Sequence, residues 1–336
     1  MNVGLDGRAG CPQPAARGAV GTPRPTGFRG KPVQTGITLD EVPIVRLESD
    51  WLRVDVAPSV GGRIVSVLDR ASGHEFLWRN PSLRLARLEP GSEYDPNFYG
   101  GIDELLPNDL PETISGIECP DHGELWTTPL ESHCDGECLI LSGRLPRFGL
   151  EYERRMRLRP DAPCLELTYR LTNLTDQPRQ FLWKLHAALA IAAGDVIECP
   201  ARRGQVVDLA WSRHHTLEPF DWPVIEGQAA NAVPPADGTV DFFYLFELSE
   251  GRMAWRRPGT GLRFEYRFDP KVFPFAWLFA SYGGFNGHYT AVLEPCTAMP
   301  ISVNDAAVRN QCSVLGPGQS LDTEVSIWVG HLGSTA

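Results

Sequence analysis

The chain has 336 residues and a formal net charge of −11 at pH 7. An acidic chain is a poor electrostatic partner for nucleic acid or for an anionic membrane surface, so we expect neither as a partner. Hydrophobic residues make up 42% of the sequence, which excludes a wholly disordered chain, and the 33 glycines and 29 prolines exclude a long helical bundle.

The first 35 residues differ from the rest of the sequence. They are rich in Gly, Pro, Ala and Arg and show almost no apolar periodicity. We interpret residues 1–35 as a disordered N-terminal extension, with a transit peptide as the alternative, and residues 36–334 as a single domain. The eight scattered cysteines form no Cys-x-x-Cys pair and no secretory signal is visible, so we expect a cytoplasmic protein with reduced thiols.

Apolar and polar residues alternate along most of the chain from about residue 37. Successive side chains of a strand point to opposite faces, so each alternating run predicts a strand with one buried face. In chain order the predicted strands are 52–56, 64–68, 150–158, 165–171, 262–268 and 321–329. Arg154 is the only interruption of the apolar face in its run.

The segment 181–193 is apolar enough for a short helix or a buried strand, and periodicity cannot separate the two. Strands on both sides of it favour a strand. Together these elements predict an all-β fold, a large antiparallel β-sandwich.

Three segments place ionisable groups in apolar surroundings, and each also has an ordinary structural explanation. Residues 121–126 bring His122 close to Trp126, whose flat face suits a sugar ring, although His122 could also be a surface loop residue. His186 lies in one of the most apolar stretches and is either a general acid or a hydrogen-bonded core histidine. Glu294 ends an apolar run and is either a buried base or an exposed strand-end carboxylate.

Motifs for nucleotides, phosphates and catalytic metals are absent from the sequence: there is no Gly-x-Gly-x-x-Gly, no phosphate loop and no His-Glu-x-x-His. His133-Cys134 with Cys138 has a spacing that zinc tolerates, but no second ligand pair lies nearby, so loop thiols are the simpler interpretation. We therefore expect no cofactor and no metal. Two histidines and a glutamate suit proton transfer without either.

Five motifs in order carry a family resemblance over nearly all of 37–332. They are Gly-Gly-Arg-Ile at 61–64, Ser-Gly-His-Glu-Phe-Leu-Trp at 72–78, Gly-Gly-Ile-Asp-Glu at 100–104, His-Gly-x-x-Trp at 122–126 and Leu-Glu-Pro-Cys-Thr at 293–297. With its motifs in this order, the chain resembles the aldose 1-epimerase (galactose mutarotase-like) superfamily. The resemblance implies a β-supersandwich and a small-molecule carbohydrate as the partner.

The resemblance also implies roles for individual residues. Glu294 would be the general base that takes the proton of the anomeric hydroxyl, and His186 the general acid that protonates the ring oxygen. His122 would bind and polarise the sugar. The remaining residues implied to bind substrate are Asp103, Glu104, Trp126, Lys184 and Arg63, with Asp241 as a further candidate.

Two departures leave the sugar open. The loop reads Asp-His-Gly-Glu at 121–124, and Leu185 replaces the asparagine that precedes the acid histidine in well-studied galactose mutarotases. The resemblance thus predicts a mutarotase-like isomerase. A hexose-6-phosphate 1-epimerase and a non-catalytic carbohydrate-binding protein on the same fold are the alternatives.

Overall fold

The computed structural model describes residues 32–331. Strand pairing begins at Val33, which lies opposite Leu47. The predicted boundary at residue 35 therefore falls inside the first strand, because this segment adds an edge strand to a sheet. The remainder of the predicted extension, 1–31, lies outside the described residues.

The described part of the chain is built almost entirely from strands. In its first half these are β1 (Val33–Leu39), β2 (Val42–Glu48), β3 (Leu52–Ala57), β4 (Arg63–Asp69), β5 (Ile102–Leu105), β6 (Glu112–Ile114), β7 (Ile117–Cys119), β8 (Glu131–Asp135), β9 (Cys138–Arg144), β10 (Leu150–Leu158) and β11 (Cys164–Asn173). In its second half they are β12 (Arg179–Phe181), β13 (Lys184–Leu189), β14 (Val196–Glu198), β15 (Ala201–Val206), β16 (Phe220–Asp221), β17 (Val224–Ile225), β18 (Gln228–Ala229), β19 (Thr239–Leu248), β20 (Arg252–Arg257), β21 (Leu262–Phe268), β22 (Phe275–Tyr282), β23 (Tyr289–Cys296), β24 (Ser313–Leu315) and β25 (Ser320–His331).

Helical structure is limited to short pieces in the described residues. One α-helix, α1, spans Val303–Val308, and three single 3-10 turns span Asp95–Asn97, Leu125–Thr127 and Leu209–Trp211. None of these helices is long and apolar enough to cross a membrane.

Two large antiparallel sheets pack face to face. The order in the eleven-stranded sheet is β1-β2-β3-β4-β5-β13-β23-β22-β19-β15-β16, and in the eight-stranded sheet β14-β20-β21-β25-β11-β10-β9-β8. One hydrophobic core contains residues of both sheets. The predicted antiparallel β-sandwich is confirmed, as are the predicted strands, including the ambiguous segment 181–193, where β13 forms.

The predicted burial of one face holds for β10, whereas nearly every residue of β3 and β4 is buried. In β10, residues 150, 152, 154, 156 and 158 are buried and the residues between them are more exposed. Arg154 therefore lies on the buried face rather than breaking it. A charge is tolerated there because it is paired with Glu104 of the opposite sheet at 2.7 Å.

The centre of the eleven-stranded sheet positions the ionisable residues. β5, β13 and β23 are neighbours, and His186 of β13 pairs in register with Asp103 of β5. Because side chains alternate, Glu104 points into the sandwich while Asp103 points to the outer face of the sheet. That outer face carries the cavity described next.

Candidate active site

The side chain of His186 is held by a carboxylate. Its Nδ1 lies 2.9 Å from Asp103 Oδ1, and the Tyr94 hydroxyl donates to Asp103 Oδ2 at 2.8 Å. Arg63 approaches the same carboxylate at 2.7 Å. Burial opposes ionisation, but Arg63 and His186 hold the pKa of Asp103 far below its usual value. Asp103 therefore orients the imidazole so that its Nε2 atom faces the cavity.

Glu294 reaches the same place from the next strand. Its Oε1 atom lies 3.7 Å from His186 Nε2, and its Oε2 atom lies 2.7 Å from Lys184 Nζ. Lys184 also makes a short ion pair with Asp109 Oδ2. Although burial disfavours both charges, their attraction raises the pKa of Lys184 and lowers that of Asp109. Lys184 is thus a fixed cation with two carboxylate partners.

His122 also lines the cavity and lies in a tight turn. Its backbone φ is +57° and that of Gly123 is +78°, and a Cβ at Gly123 would come within 2.4 Å of the Leu106 carbonyl oxygen. The glycine of the His-Gly motif is therefore required by the backbone. The His122 ring stacks on Tyr94 with a centroid distance of 3.9 Å.

Two carboxylates flank the His122 imidazole. Nδ1 lies 2.8 Å from Asp121 Oδ1, and Nε2 lies 4.0 Å from Asp109 Oδ1. Burial disfavours the imidazolium, but the charge of Asp109 and the hydrogen bond with Asp121 raise the pKa of His122 above its usual value.

These contacts form one series of alternating charges, which we call the ion chain. Its members in order are Arg63, Asp103, His186, Glu294, Lys184, Asp109, His122 and Asp121. With both imidazoles protonated, the series has four cations and four anions and is neutral. Only two links exceed 2.9 Å, namely His186 to Glu294 at 3.7 Å and Asp109 to His122 at 4.0 Å. The four residues at these two gaps all line the cavity.

The cavity itself has a polar floor and an aromatic wall. Its volume is about 210 Å³, below the roughly 300–1,000 Å³ of pockets that take drug-sized ligands, so it suits a small molecule. Its lining comprises Tyr94, Asp95, Phe98, Asp109, Leu110, Asp121, His122, Lys184, His186, Trp211, Phe242, Phe279, Phe285, Glu294 and Ile301. Trp211 is 38% exposed and contacts Phe285 edge to face, with ring centroids 5.7 Å apart. Aromatic side chains beside hydrogen-bonding groups are typical of sugar sites.

The structure brings four of the sequence-predicted site residues together in the cavity: His122, Lys184, His186 and Glu294. Asp103 and Arg63 lie behind His186, where they support its ring. Trp126 is 2% exposed and packs edge to face on Tyr94, so it also supports the wall from behind.

Glu104 lies elsewhere, contrary to the expectation that it contacts the sugar. Its carboxylate accepts hydrogen bonds from Tyr152, Tyr169, Arg154 and Trp183 inside the sandwich. Adjacent residues of a strand point to opposite faces, so Asp103 and Glu104 cannot both reach the cavity.

Asp241 does not line the cavity either. It is fully buried, with one oxygen 3.0 Å from Arg213 Nε. Burial raises the pKa of Asp241 to about 7, against the opposing charge of Arg213.

Sequence reasoning missed Tyr94, Asp109 and Trp211. All three lie outside regular strands, where no periodic pattern marks a buried or inward-facing position. Asp109 follows the Gly-Gly-Ile-Asp-Glu motif by five residues, and its nearness to that motif is the only signal the sequence offers.

We predict that Asp121→Asn lowers the pKa of His122, because the substitution removes the charge that accepts from its Nδ1. The pKa is measured by NMR titration of the His122 ring protons. Asp161→Asn, which changes an exposed carboxylate paired with Arg159, is the control and should leave the His122 titration unchanged. An unchanged His122 titration in Asp121→Asn would contradict the assigned pairing.

Within residues 32–331, no group of three or more His, Cys, Asp or Glu side chains has the arrangement of a metal site. His133 and Cys134 lie on β8 and Cys138 begins β9, in an exposed hairpin where Cys134 pairs with Leu139 rather than with Cys138.

Comparison with known proteins agrees with the fold. The sequence profile of a family described as "Domain of unknown function (DUF5107)" matches residues 32–224, which is more than half of the chain. Among solved structures, the chain is similar to a galactose mutarotase-like protein from Clostridium acetobutylicum, with a TM-score of 0.67 and 15% identity over 89% of this chain and 98% of that chain.

Two further structures give the same result. The Slr1438 protein from Synechocystis sp. PCC 6803 matches with a TM-score of 0.67 and 20% identity over 89% of this chain and 99% of that chain. A candidate aldose 1-epimerase from Escherichia coli K12 matches with a TM-score of 0.64 and 18% identity over 86% and 99%. At these identities the matches show the fold, and the predicted galactose mutarotase-like sandwich is confirmed.

Proposed function

The chain belongs to the family described as Domain of unknown function (DUF5107), and we propose that it is an aldose 1-epimerase-like isomerase that interconverts the anomers of a free, uncharged aldose. One observation carries the proposal. His186 Nε2 and Glu294 Oε1 lie 3.7 Å apart at the floor of a small cavity, and each is held from behind by a partner of opposite charge. A general acid and a general base are thus available to the two oxygens of one hemiacetal carbon.

The proton balance of the reaction follows from this pair. Glu294 Oε1 takes the proton of the anomeric hydroxyl, the bond between the anomeric carbon and the ring oxygen breaks, and His186 Nε2 protonates the ring oxygen. The product is the open-chain aldehyde. After rotation about the adjacent carbon–carbon bond, the same two groups run the steps in reverse and close the other anomer.

The ion chain fits this cycle. The cycle starts with the transferable proton on His186 and an ionised Glu294, and after ring opening both groups are neutral. The summed charge of the ion chain is therefore unchanged throughout. The cycle therefore adds no net charge to a low-dielectric site.

The charges of the cavity argue against the phosphorylated substrate of the first alternative. Four carboxylates line it, those of Asp95, Asp109, Asp121 and Glu294. The ammonium of Lys184 is already paired with two of them. A dianionic phosphate needs converging, available Arg or Lys groups, which the described lining does not provide.

Anomer exchange tests the proposal directly. We expect the protein to accelerate interconversion of at least one free aldose, measured by exchange NMR across a panel of aldoses and their 6-phosphates. The 6-phosphates should be poorer substrates than the parent sugars. Binding without acceleration would instead establish a non-catalytic carbohydrate-binding protein. A preference for the 6-phosphates would establish a hexose-6-phosphate 1-epimerase.

A further inference from the structure

We propose that the second gap of the ion chain, between Asp109 and His122, binds one ring hydroxyl of the substrate and selects among aldose epimers. The inference rests on the proposed function, because it takes the first gap, between His186 and Glu294, as the place of the anomeric centre. It assigns a specificity role to Asp109, which lies in an irregular segment after β5.

The geometry of this gap suits a single oxygen atom. Asp109 Oδ1 and His122 Nε2 lie 4.0 Å apart, too far for a direct hydrogen bond. A hydroxyl oxygen at about 2.8 Å from each atom bridges them. Both side chains line the cavity, and their exposed fractions are only 5% and 19%. Both side chains therefore border the cavity and are largely withdrawn from bulk water.

The chemistry of the two groups specifies a hydroxyl. The Asp109 carboxylate, ion-paired with Lys184, can only accept a hydrogen bond. Asp121 occupies Nδ1 of His122, and the raised pKa of that ring favours a proton on Nε2, which then donates. A hydroxyl donates and accepts at once, whereas a phosphate oxygen would be repelled by Asp109.

Lys184 connects recognition to catalysis. Its ammonium holds Glu294 Oε2 on one side and Asp109 Oδ2 on the other. Lys184 therefore fixes the other oxygens of these carboxylates relative to each other. They are Glu294 Oε1, the proposed base, and Asp109 Oδ1, the proposed hydroxyl acceptor. Only an aldose whose hydroxyl has the matching orientation fills both gaps, so inverting that one carbon should weaken binding.

The expected effect is large enough to measure. Hydrogen bonds to charged groups correspond to a change of about 10- to 150-fold in affinity. We expect one deoxy analogue of the best aldose substrate to bind the wild-type protein more weakly by a factor in this range. Analogues that lack a hydroxyl at another ring position should lose less affinity.

Isothermal titration calorimetry with anomerically equilibrated sugars tests the inference, since this binding needs no turnover. In Asp109→Asn the intact aldose should bind more weakly than in the wild-type protein. The penalty, meaning the loss of affinity from the intact aldose to the critical deoxy analogue, should fall below about 3-fold, because the partner of the deleted hydroxyl is already missing. His122→Asn should behave alike, because the shorter side chain tolerates the same backbone conformation but cannot reach the hydroxyl. Asp322→Asn, on the solvent face of β25, is the matched control and should retain the wild-type penalty.

The outcomes separate this inference from the proposed function. If the wild-type protein exchanges anomers but binds every deoxy analogue as well as the parent sugar, the hydroxyl site is wrong and the isomerase stands. The same holds if both Asp109→Asn and His122→Asn keep the penalty. If no aldose binds at all, both proposals fail.

Discussion

Glu294→Gln is expected to lower kcat for anomer exchange by about 10²–10⁴-fold, the usual contribution of a general base. The amide has nearly the same shape as the carboxylate but cannot take the proton of the anomeric hydroxyl. Lys184 retains Asp109 as a partner, so the cavity keeps a paired ammonium. KM should change much less than kcat, because the lost interaction is with the transferred proton.

His186→Gln should reduce kcat by a similar factor, and the double variant should be little worse than either single variant. Groups that act as a unit in one step show such non-additivity. Rates are measured by exchange NMR, with thermal unfolding to show that each variant folds. Glu324→Gln, on the solvent-facing side of β25, controls for the substitution itself. Wild-type rates in both His186→Gln and Glu294→Gln would refute the assignment of acid and base.

Strands with one solvent-exposed face are the easiest to predict from the sequence. β10 follows the predicted range 150–158 without a shift, because solvent on one side forces strict alternation. β21 also matches its predicted range, 262–268, although Glu265 on its outer face is buried. β5, β13 and nearly all of β23 are buried on both faces and carry no such pattern. Lys184 and His186 lie on β13 and Glu294 lies on β23, so the periodic pattern is weakest at the proposed acid and base.

The site residues divide in the same way. His186 and Glu294 stand out because each is a polar residue in an apolar run, and the structure places them side by side. Asp109 and Tyr94 come from irregular segments, and only the folded chain brings them to the cavity. The adjacent acids at 103 and 104 do not reveal which of them faces the cavity and which faces the interior of the sandwich. The assignment of Glu104 to the sugar failed for that reason.

Glu104→Leu is expected to destabilise the protein by about 3–5 kcal/mol, the usual cost of breaking a buried ion pair by removing one partner. The side chains of Glu104 and Arg154 are each 1% exposed, so the variant would leave an unpaired guanidinium inside the sandwich. The hydroxyls of Tyr152 and Tyr169 and the indole of Trp183 would also lose their acceptor. The free energy of unfolding is measured by urea denaturation.

A second substitution distinguishes an ion pair from simple loss of packing. Glu104→Leu combined with Arg154→Met removes both charges, so the double variant should recover part of the stability lost by Glu104→Leu. Glu166→Gln, which breaks the exposed pair with Arg157, should cost no more than about 1 kcal/mol. A Glu104 variant of wild-type stability that instead raised KM for the sugar would restore Glu104 to the binding site. The structure predicts the reverse, because four interior donors already use its carboxylate and none of its atoms lines the cavity.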